Sequence, residues 1–260
     1  MAEMGKSGNG EARVGPAPGI TRLPPRAAAP IHLPTWSQLQ VSAKQTSPAG
    51  NSGDFFEVIQ LRDGRVTVVL VDVCGNGPSA AAPVGNFRWV LRQAIARGEA
   101  PGAVLAALNE SMVAQRLDDR FATAVCARID SVTGWVEIAS AGHPGPFVRR
   151  AAGGAEDLAS AGGLALGILP GERYPEISVE LAPQDALVLV TDGITDRLAS
   201  ADDRLGVRAL CERLGRARLG AESICGALLG AKPRATEDAT VLVLELPRRH
   251  RRATPVARAG

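Results

Sequence analysis

Four acidic positions stand at the ends of apolar runs or beside glycines. Asp54 lies in SGDFFEV, and Asp72 closes VTVVLVD ahead of VCGNG. Asp192 follows ALVLVT and precedes Gly193, and Glu237-Asp238 open the run EDATVLVLEL. A carboxylate at the end of a buried strand is costly unless something neutralises it. A divalent cation does so, and a set of carboxylates suits a hard ion such as Mg²⁺ or Mn²⁺. Adjacent glycines let backbone carbonyls and water approach the ion. The competing reading has each Asp capping a turn. That reading wins for one Asp-Gly and loses for four such sites in one chain.

Other chemistries fit less well. The four cysteines, at 74, 126, 211 and 225, include no C-x-x-C pair, and the three histidines (32, 143, 250) are scattered, which argues against structural zinc. No Cys is followed by Arg at the spacing of Cys-based phosphatases. Gly75-Asn76-Gly77-Pro78-Ser79-Ala80 fits a dinucleotide fingerprint, but no second strand ending in an acid follows it. Gly5-Lys6-Ser7 lacks the strand and the first glycine of a P-loop.

The elements that must position the acids read as one α+β unit. Apolar residues are 45% of the 260 and charged ones 22%, so the chain can build a globular core. Strands are expected at 38–43, 54–61, 65–73, 121–129, 135–140, 146–150, 176–181, Ala186–Val190 and 239–246. Helices are expected at 79–97 and 101–115, within 202–214, and at Ala221–Leu229. Residues 153–162 read as loop. Residues 1–35, rich in Pro and Gly, read as a disordered leader, 36–246 as the domain and 247–260 as a basic disordered tail.

Charge and composition narrow the partners. The net charge of +2 divides into +2 for residues 1–35, −5 for 36–246 and +5 for the tail. A mildly acidic body is not that of a nucleic-acid-binding domain. With 3 Trp, 1 Tyr and 5 Phe, a base-stacking platform is also disfavoured. No apolar run approaches the ~20 residues of a membrane helix, and no signal peptide opens the chain. A cytoplasmic protein that binds neither membrane nor nucleic acid is expected.

Six segments then occur in a familiar order: SGDFFEV, VDVCGNGPSAA, FATAVCARID with ASAGHPGPFV, GLALGILP, LVTDGITDRL and EDATVLVLEL. Together they resemble the PP2C-type metal-dependent Ser/Thr protein phosphatases, in the branch that includes the stage-II-sporulation and stress-response sigma-regulator enzymes. The resemblance covers about residues 40–246. It implies a four-layer α-β-β-α sandwich of two antiparallel sheets, with two Mn²⁺ or Mg²⁺ ions in a cleft at one end. By motif, Asp54, Asp72 and the Val73 carbonyl would hold one ion. Asp72 would bridge to the second, completed by Asp192 and Glu237, and Asp54, Asp72 and Asp192 would be the catalytic set. Asp238, His143 and Gly193 are further candidates, His143 either shaping the cleft or packed between strands. The implied substrate is phospho-Ser/Thr on a STAS-type anti-anti-sigma protein in a partner-switching pathway, under an upstream regulatory protein. The alternative is a catalytically weak binding module that sequesters the same partner.

The chain departs from the family pattern at Ser52 and Glu57 in the first motif, at Asn76 in the second and at Glu237 in the last. Glu237 adds a methylene where an Asp is usual, so the ligand at the second ion is either Glu237 or Asp238. If it is Glu237, Glu237→Asp should lower the Mn²⁺ concentration for half-maximal rate and Glu237→Ala should raise it. If it is Asp238, both Glu237 variants should be silent and Asp238→Ala damaging. Metal titration of the three variants decides between them.

Overall fold

Strict alternation along the strands decides the architecture. In β3 (Val66–Val73), Val66, Val68 and Leu70 pack into one buried cluster, while Val69, Val71 and Val73 pack into another. A strand buried on both faces must lie inside a layered structure. The computed structural model describes residues 39–47, 52–75, 82–115, 120–158, 162–198, 203–229 and 238–248.

One sheet has the order β2-β3-β4-β5-β8, adding β2 (Phe55–Gln60), β4 (Ala122–Ile129), β5 (Trp135–Ala141) and β8 (Glu176–Glu180). The other has the order β1-β10-β9-β6-β7, from β1 (Gln40–Thr46), β10 (Ala239–Glu245), β9 (Ala186–Val190), β6 (Phe147–Arg149) and β7 (Ala155–Asp157). Every strand pair in both sheets is antiparallel. Leu187, Leu189, Leu242 and Leu244 of the second sheet interdigitate with Phe56, Val68, Leu70 and Ile129 of the first. This is face-to-face packing of sheets.

Helices cover the two outer faces. Helix α1 (Val84–Ala96) buries Phe87, Leu91, Ala94 and Ile95, one stripe at helical spacing. Helix α2 (Pro101–Ala114) begins on a proline, whose missing N–H costs nothing there. Both pack on the outside of the β3 sheet. Helices α3 (Asp192–Leu198), α4 (Asp203–Arg216) and α5 (Ala221–Leu229) lie on the opposite side, where Ile194, Leu210 and Ile224 meet Val188 and Val241. The α-β-β-α order matches the expected fold. Among the described residues no helix is long and apolar enough to cross a membrane.

Two local expectations need correction. Part of the segment expected as loop forms β7, a three-residue strand that pairs with β6. Helix α3 starts at Asp192 and is absent from the sequence reading, because seven residues are too few to show a helical period. The expected start of the first helix, Ser79, lies outside the described residues, as do the proposed leader and most of the basic tail.

The departure at Glu57 has a structural reason. Its buried carboxylate accepts hydrogen bonds from Arg88 and from Arg92 Nε and Nη2 at 3.1 and 3.0 Å. Arg88 also donates to the Phe56 carbonyl at 3.0 Å and stacks over the Phe55 ring at 4.9 Å. The longer glutamate thus reaches helix α1 and ties it to the start of β2. Losing charge-assisted bonds to a buried carboxylate costs about 2 kcal/mol. Glu57→Ala is therefore expected to lower the urea midpoint by a corresponding amount, and Arg92→Ala by less, since Arg88 keeps the carboxylate paired.

Candidate metal centre

The inter-sheet layer is apolar along most of its length and turns polar at one end. Asp54 lies two residues before Phe56, Asp72 two beyond Leu70 and Thr123 two before Val125. Thr191 lies two beyond Leu189 and Thr240 two before Leu242. With a period of two, all five side chains point to the same layer as those apolar neighbours. Asp54, Asp72 and Thr123 reach a cleft of about 270 Å³. Its described walls carry five aspartates, Asp54, Asp72, Asp192, Asp196 and Asp238, together with Cys74, Gly75, Phe121 and Thr123.

Each acid is placed by a different device. Asp54 is buried, and its Oδ2 accepts from Thr191 Oγ1 at 2.9 Å and Thr240 Oγ1 at 2.7 Å. Both threonines come from the opposite sheet. Ser52, the other departure in this motif, accepts from the Asp54 N–H and from Gln45 Nε2, each at 3.0 Å, and so shapes the loop before Asp54. Asp72 ends β3 beside the buried Val73 and lies directly opposite Thr123 of β4. Asp192 opens α3, and Asp196 follows one helical turn later on the same wall. Asp238 Oδ2 accepts from the Gly53 N–H at 3.2 Å, which joins the start of β10 to the Asp54 loop.

Gly193 is required sterically. A Cβ there would stand 2.0 Å from the Asp238 carbonyl oxygen, so no larger residue lets α3 and the start of β10 come together. Glu237 lies outside the described residues. His143 is buried and does not line the cleft. Its Nδ1 lies 2.8 Å from Thr123 Oγ1, and burial holds its pKa down to about 3, an effect only partly offset by the Val190 backbone facing the ring. A neutral, enclosed imidazole serves the packing between the sheets, not proton transfer in the cleft.

The donor set fits hard divalent cations. The cleft's described walls carry five carboxylates and no Lys, Arg or His. Burial raises the pKa of Asp54 to about 6, against the partial relief of its two threonine bonds. Asp72 is pushed to about 9, first by burial and then by the charges of Asp54 and Asp192, both within hydrogen-bonding reach. The protein has thus gathered acids that oppose one another's ionisation. A cation would resolve the conflict by taking the place of the shared protons. Among the described residues no three His, Cys, Asp or Glu side chains are drawn together as a ready-made coordination shell.

Sequence reasoning missed Thr123, Thr191, Thr240 and Asp196. The threonines continue the inward-facing register of their strands by one more step, and Asp196 stands at i+4 from Asp192. Both signals are present in LVTDGITD, but only once the strand and the short helix are assigned.

Stacked antiparallel sheets, flanked by helices and opening on this acidic cleft, define the PP2C-type phosphatase fold. The PP2C phosphatase domain of SpoIIE from Bacillus subtilis superposes with a TM-score of 0.68 at 17% identity, over 80% of this chain and 63% of that one. The RsbU and RsbW domains of Rv1364c from Mycobacterium tuberculosis give 0.70 at 24%, over 81% and 62%. The catalytic domain of PstP, crystallised with two manganese ions, gives 0.57 at 18%, over 81% and 99%. The chain belongs to the stage II sporulation protein E (SpoIIE) family, whose sequence pattern matches residues 62–247. Protein IcfG of Synechocystis is 29% identical over 214 residues, 71% of this chain and 33% of its own length. The phosphoserine phosphatase RsbP of Bacillus subtilis is 25% identical over 167 residues, 63% of this chain and 41% of its own length. The chain thus spans well under half of these curated relatives.

The clustered acids give a pH signature. In the unfolded chain these carboxyls titrate near 3.8, and in the metal-free fold at about 6 and about 9. Between those limits the folded state holds more protons on Asp54 and Asp72 than the unfolded one, so the contribution of these two groups to stability is fully present below pH 4 and is lost as pH rises toward 9. The melting temperature of metal-free protein should fall from pH 5 to pH 9. Asp72→Asn should flatten that fall, and saturating Mn²⁺ should reverse it. Differential scanning fluorimetry across pH measures all three.

Proposed function

We propose that the protein is a metal-dependent Ser/Thr protein phosphatase that hydrolyses phosphoserine or phosphothreonine on a small regulatory protein. The observation that carries this reading is the mutually opposed set Asp54–Asp72–Asp192 at the open end of the inter-sheet layer. Family membership and the phosphoserine phosphatase RsbP among the relatives support it. Asp54, Asp72 and the Val73 carbonyl would hold one ion. Asp72 and Asp192 would hold a second, with Glu237 or Asp238, and the anchoring of Asp238 to Gly53 favours Asp238. Divalent cations there would supply Lewis acidity and neutralise charge for transfer of the phosphoryl group to water.

The chain's own residues orient this chemistry. Thr191 and Thr240 fix the Asp54 carboxylate so that it need not reorganise. Asp72 lies within reach of both Asp54 and Asp192 and would serve both ions. Phe121, exposed at the cleft wall, would offer an apolar surface to a bound phosphopeptide. The bond that breaks joins phosphorus to the seryl or threonyl oxygen. Water supplies the new oxygen on phosphorus, and the freed hydroxyl takes up a proton.

As to substrate, we infer a STAS-type anti-anti-sigma protein within a partner-switching pathway, with an upstream regulatory protein setting the activity. The family resemblance supports this assignment, and Mn²⁺ or Mg²⁺ as the metal. A binding module on the same fold would retain a phosphoprotein without turning it over.

Asp72→Ala should lower Mn²⁺-dependent release of phosphate from a generic phosphoester by at least about 100-fold, since the loss of a shared anchor displaces both ions. The metal-free variant should melt no lower than wild type, because the change relieves repulsion. EDTA should abolish wild-type turnover and Mn²⁺ restore it. Turnover that survives verified removal of metal, or an Asp72→Ala variant retaining a tenth of the rate, would exclude this mechanism.

A further inference from the structure

His143 occupies the connection between the two sheets. Strand β5 belongs to the β3 sheet and ends at Ala141, while β6 belongs to the β10 sheet and starts at Phe147. The chain crosses from one sheet to the other in the residues between, at the end where Asp72 and Thr123 lie. Gly142 is bridged to Ala124 of β4, and the His143 N–H is 3.3 Å from Ser140 Oγ, so the crossover is pinned to the β3 sheet. From that fixed point the imidazole enters the inter-sheet layer. Nδ1 meets Thr123 Oγ1 of β4 at 2.8 Å, and the ring faces the Val190 backbone of β9 in the other sheet.

Both contacts are one step from the acids. Thr123 is the cross-strand partner of Asp72, and directly opposed residues of an antiparallel pair share a face. Val190 precedes Thr191, which holds Asp54, and Thr191 precedes Asp192. A single buried side chain therefore adjoins both the cross-strand partner of Asp72 and the residue that leads into Thr191 and Asp192, where a change in sheet separation would alter the spacing of the acids.

We propose that His143 is a positioning residue: acting through Thr123, it fixes the gap between the sheets at the cleft floor and thereby the distance across which Asp72 and Asp192 share cations. This inference rests on the phosphatase reading and adds a determinant of metal affinity that never touches metal or substrate. It also explains a histidine that is buried and uncharged beneath a cleft of acids. An aliphatic residue of similar bulk fills the space but cannot engage Thr123, so the residue opposite Asp72 loses its side-chain partner in the inter-sheet layer.

The test is calorimetric titration of Mn²⁺ into metal-free wild type, Thr123→Val, His143→Leu, His143→Gln and the Thr123→Val/His143→Leu double variant, each with its metal-free melting temperature. Thr123→Val and His143→Leu should each weaken Mn²⁺ binding about tenfold. The double variant should be no weaker than the worse single, because both remove one strut. His143→Gln, whose amide can still bond Thr123, should recover part of the affinity. A merely structural histidine would lower the melting temperature and leave the affinity of the folded fraction unchanged. If His143→Leu does not fold, the isosteric Thr123→Val carries the test. Wild-type affinity in a folded Thr123→Val, or strictly additive losses in the double variant, would overturn the inference while leaving the phosphatase reading intact. Wild-type protein that binds no Mn²⁺ would overturn that reading and this inference with it.

Discussion

Carboxylates that cannot all ionise together govern this molecule. Asp54, Asp72 and Asp192 are held within reach of one another at the end of an otherwise apolar layer, and the pKa of Asp72 rises to about 9 in consequence. Nothing in the strands themselves favours such a gathering. It is imposed by the stacking of the two sheets, which Val, Leu, Ile and Phe side chains drive along the rest of the layer. Repulsion at one end is thus sustained by apolar burial everywhere else. Sites for multivalent cations are built on this imbalance: the scaffold holds like charges together, and the ligand relieves them.

The threonines show how the imbalance is contained. Thr191 and Thr240 belong to the β10 sheet and donate to a carboxylate that leads into the β3 sheet. Thr191 also accepts from the Thr240 N–H at 2.9 Å, so the two act as one unit. Asp54 is thereby tied to both sheets without a basic partner. An arginine or lysine there would neutralise the acid permanently and leave no call for a cation. Neutral donors fix the geometry and preserve the charge.

The sequence disclosed the parts of this arrangement that lie on long, regular elements. Asp54, Asp72 and Asp192 announce themselves because each interrupts an apolar run, and the strands that carry them are long enough to show alternation. Thr123, Thr191 and Thr240 were hidden because threonine is an ordinary strand residue and gains meaning only when two sheets are stacked. Asp196 needed a helix too short to show its period. Glu57 marked a departure from the family pattern, and only three-dimensional contact reveals its reach to Arg88 and Arg92 on α1. The position of His143 between the sheets follows from the crossover after β5, which no local pattern encodes. The expected N-terminal boundary of the domain falls outside the described residues.

Among the described residues strand β1 pairs with β10 alone, with Gln40 opposite Glu245 and Thr46 opposite Ala239. About two hundred residues of chain separate the partners. During synthesis β2, β3, β4 and β5 emerge in order and pair with immediate neighbours, so most of one sheet can form early. The other sheet must wait for β10, its second strand, to leave the ribosome. Until then β1 has no edge to join, the leucines of the inter-sheet layer have no cover, and Asp54 lacks Thr240. The acidic cleft is therefore completed late, and a molecule without β10 has Asp54 and Asp72 beside a formed sheet but lacks the Thr240 and Asp238 that complete the cleft.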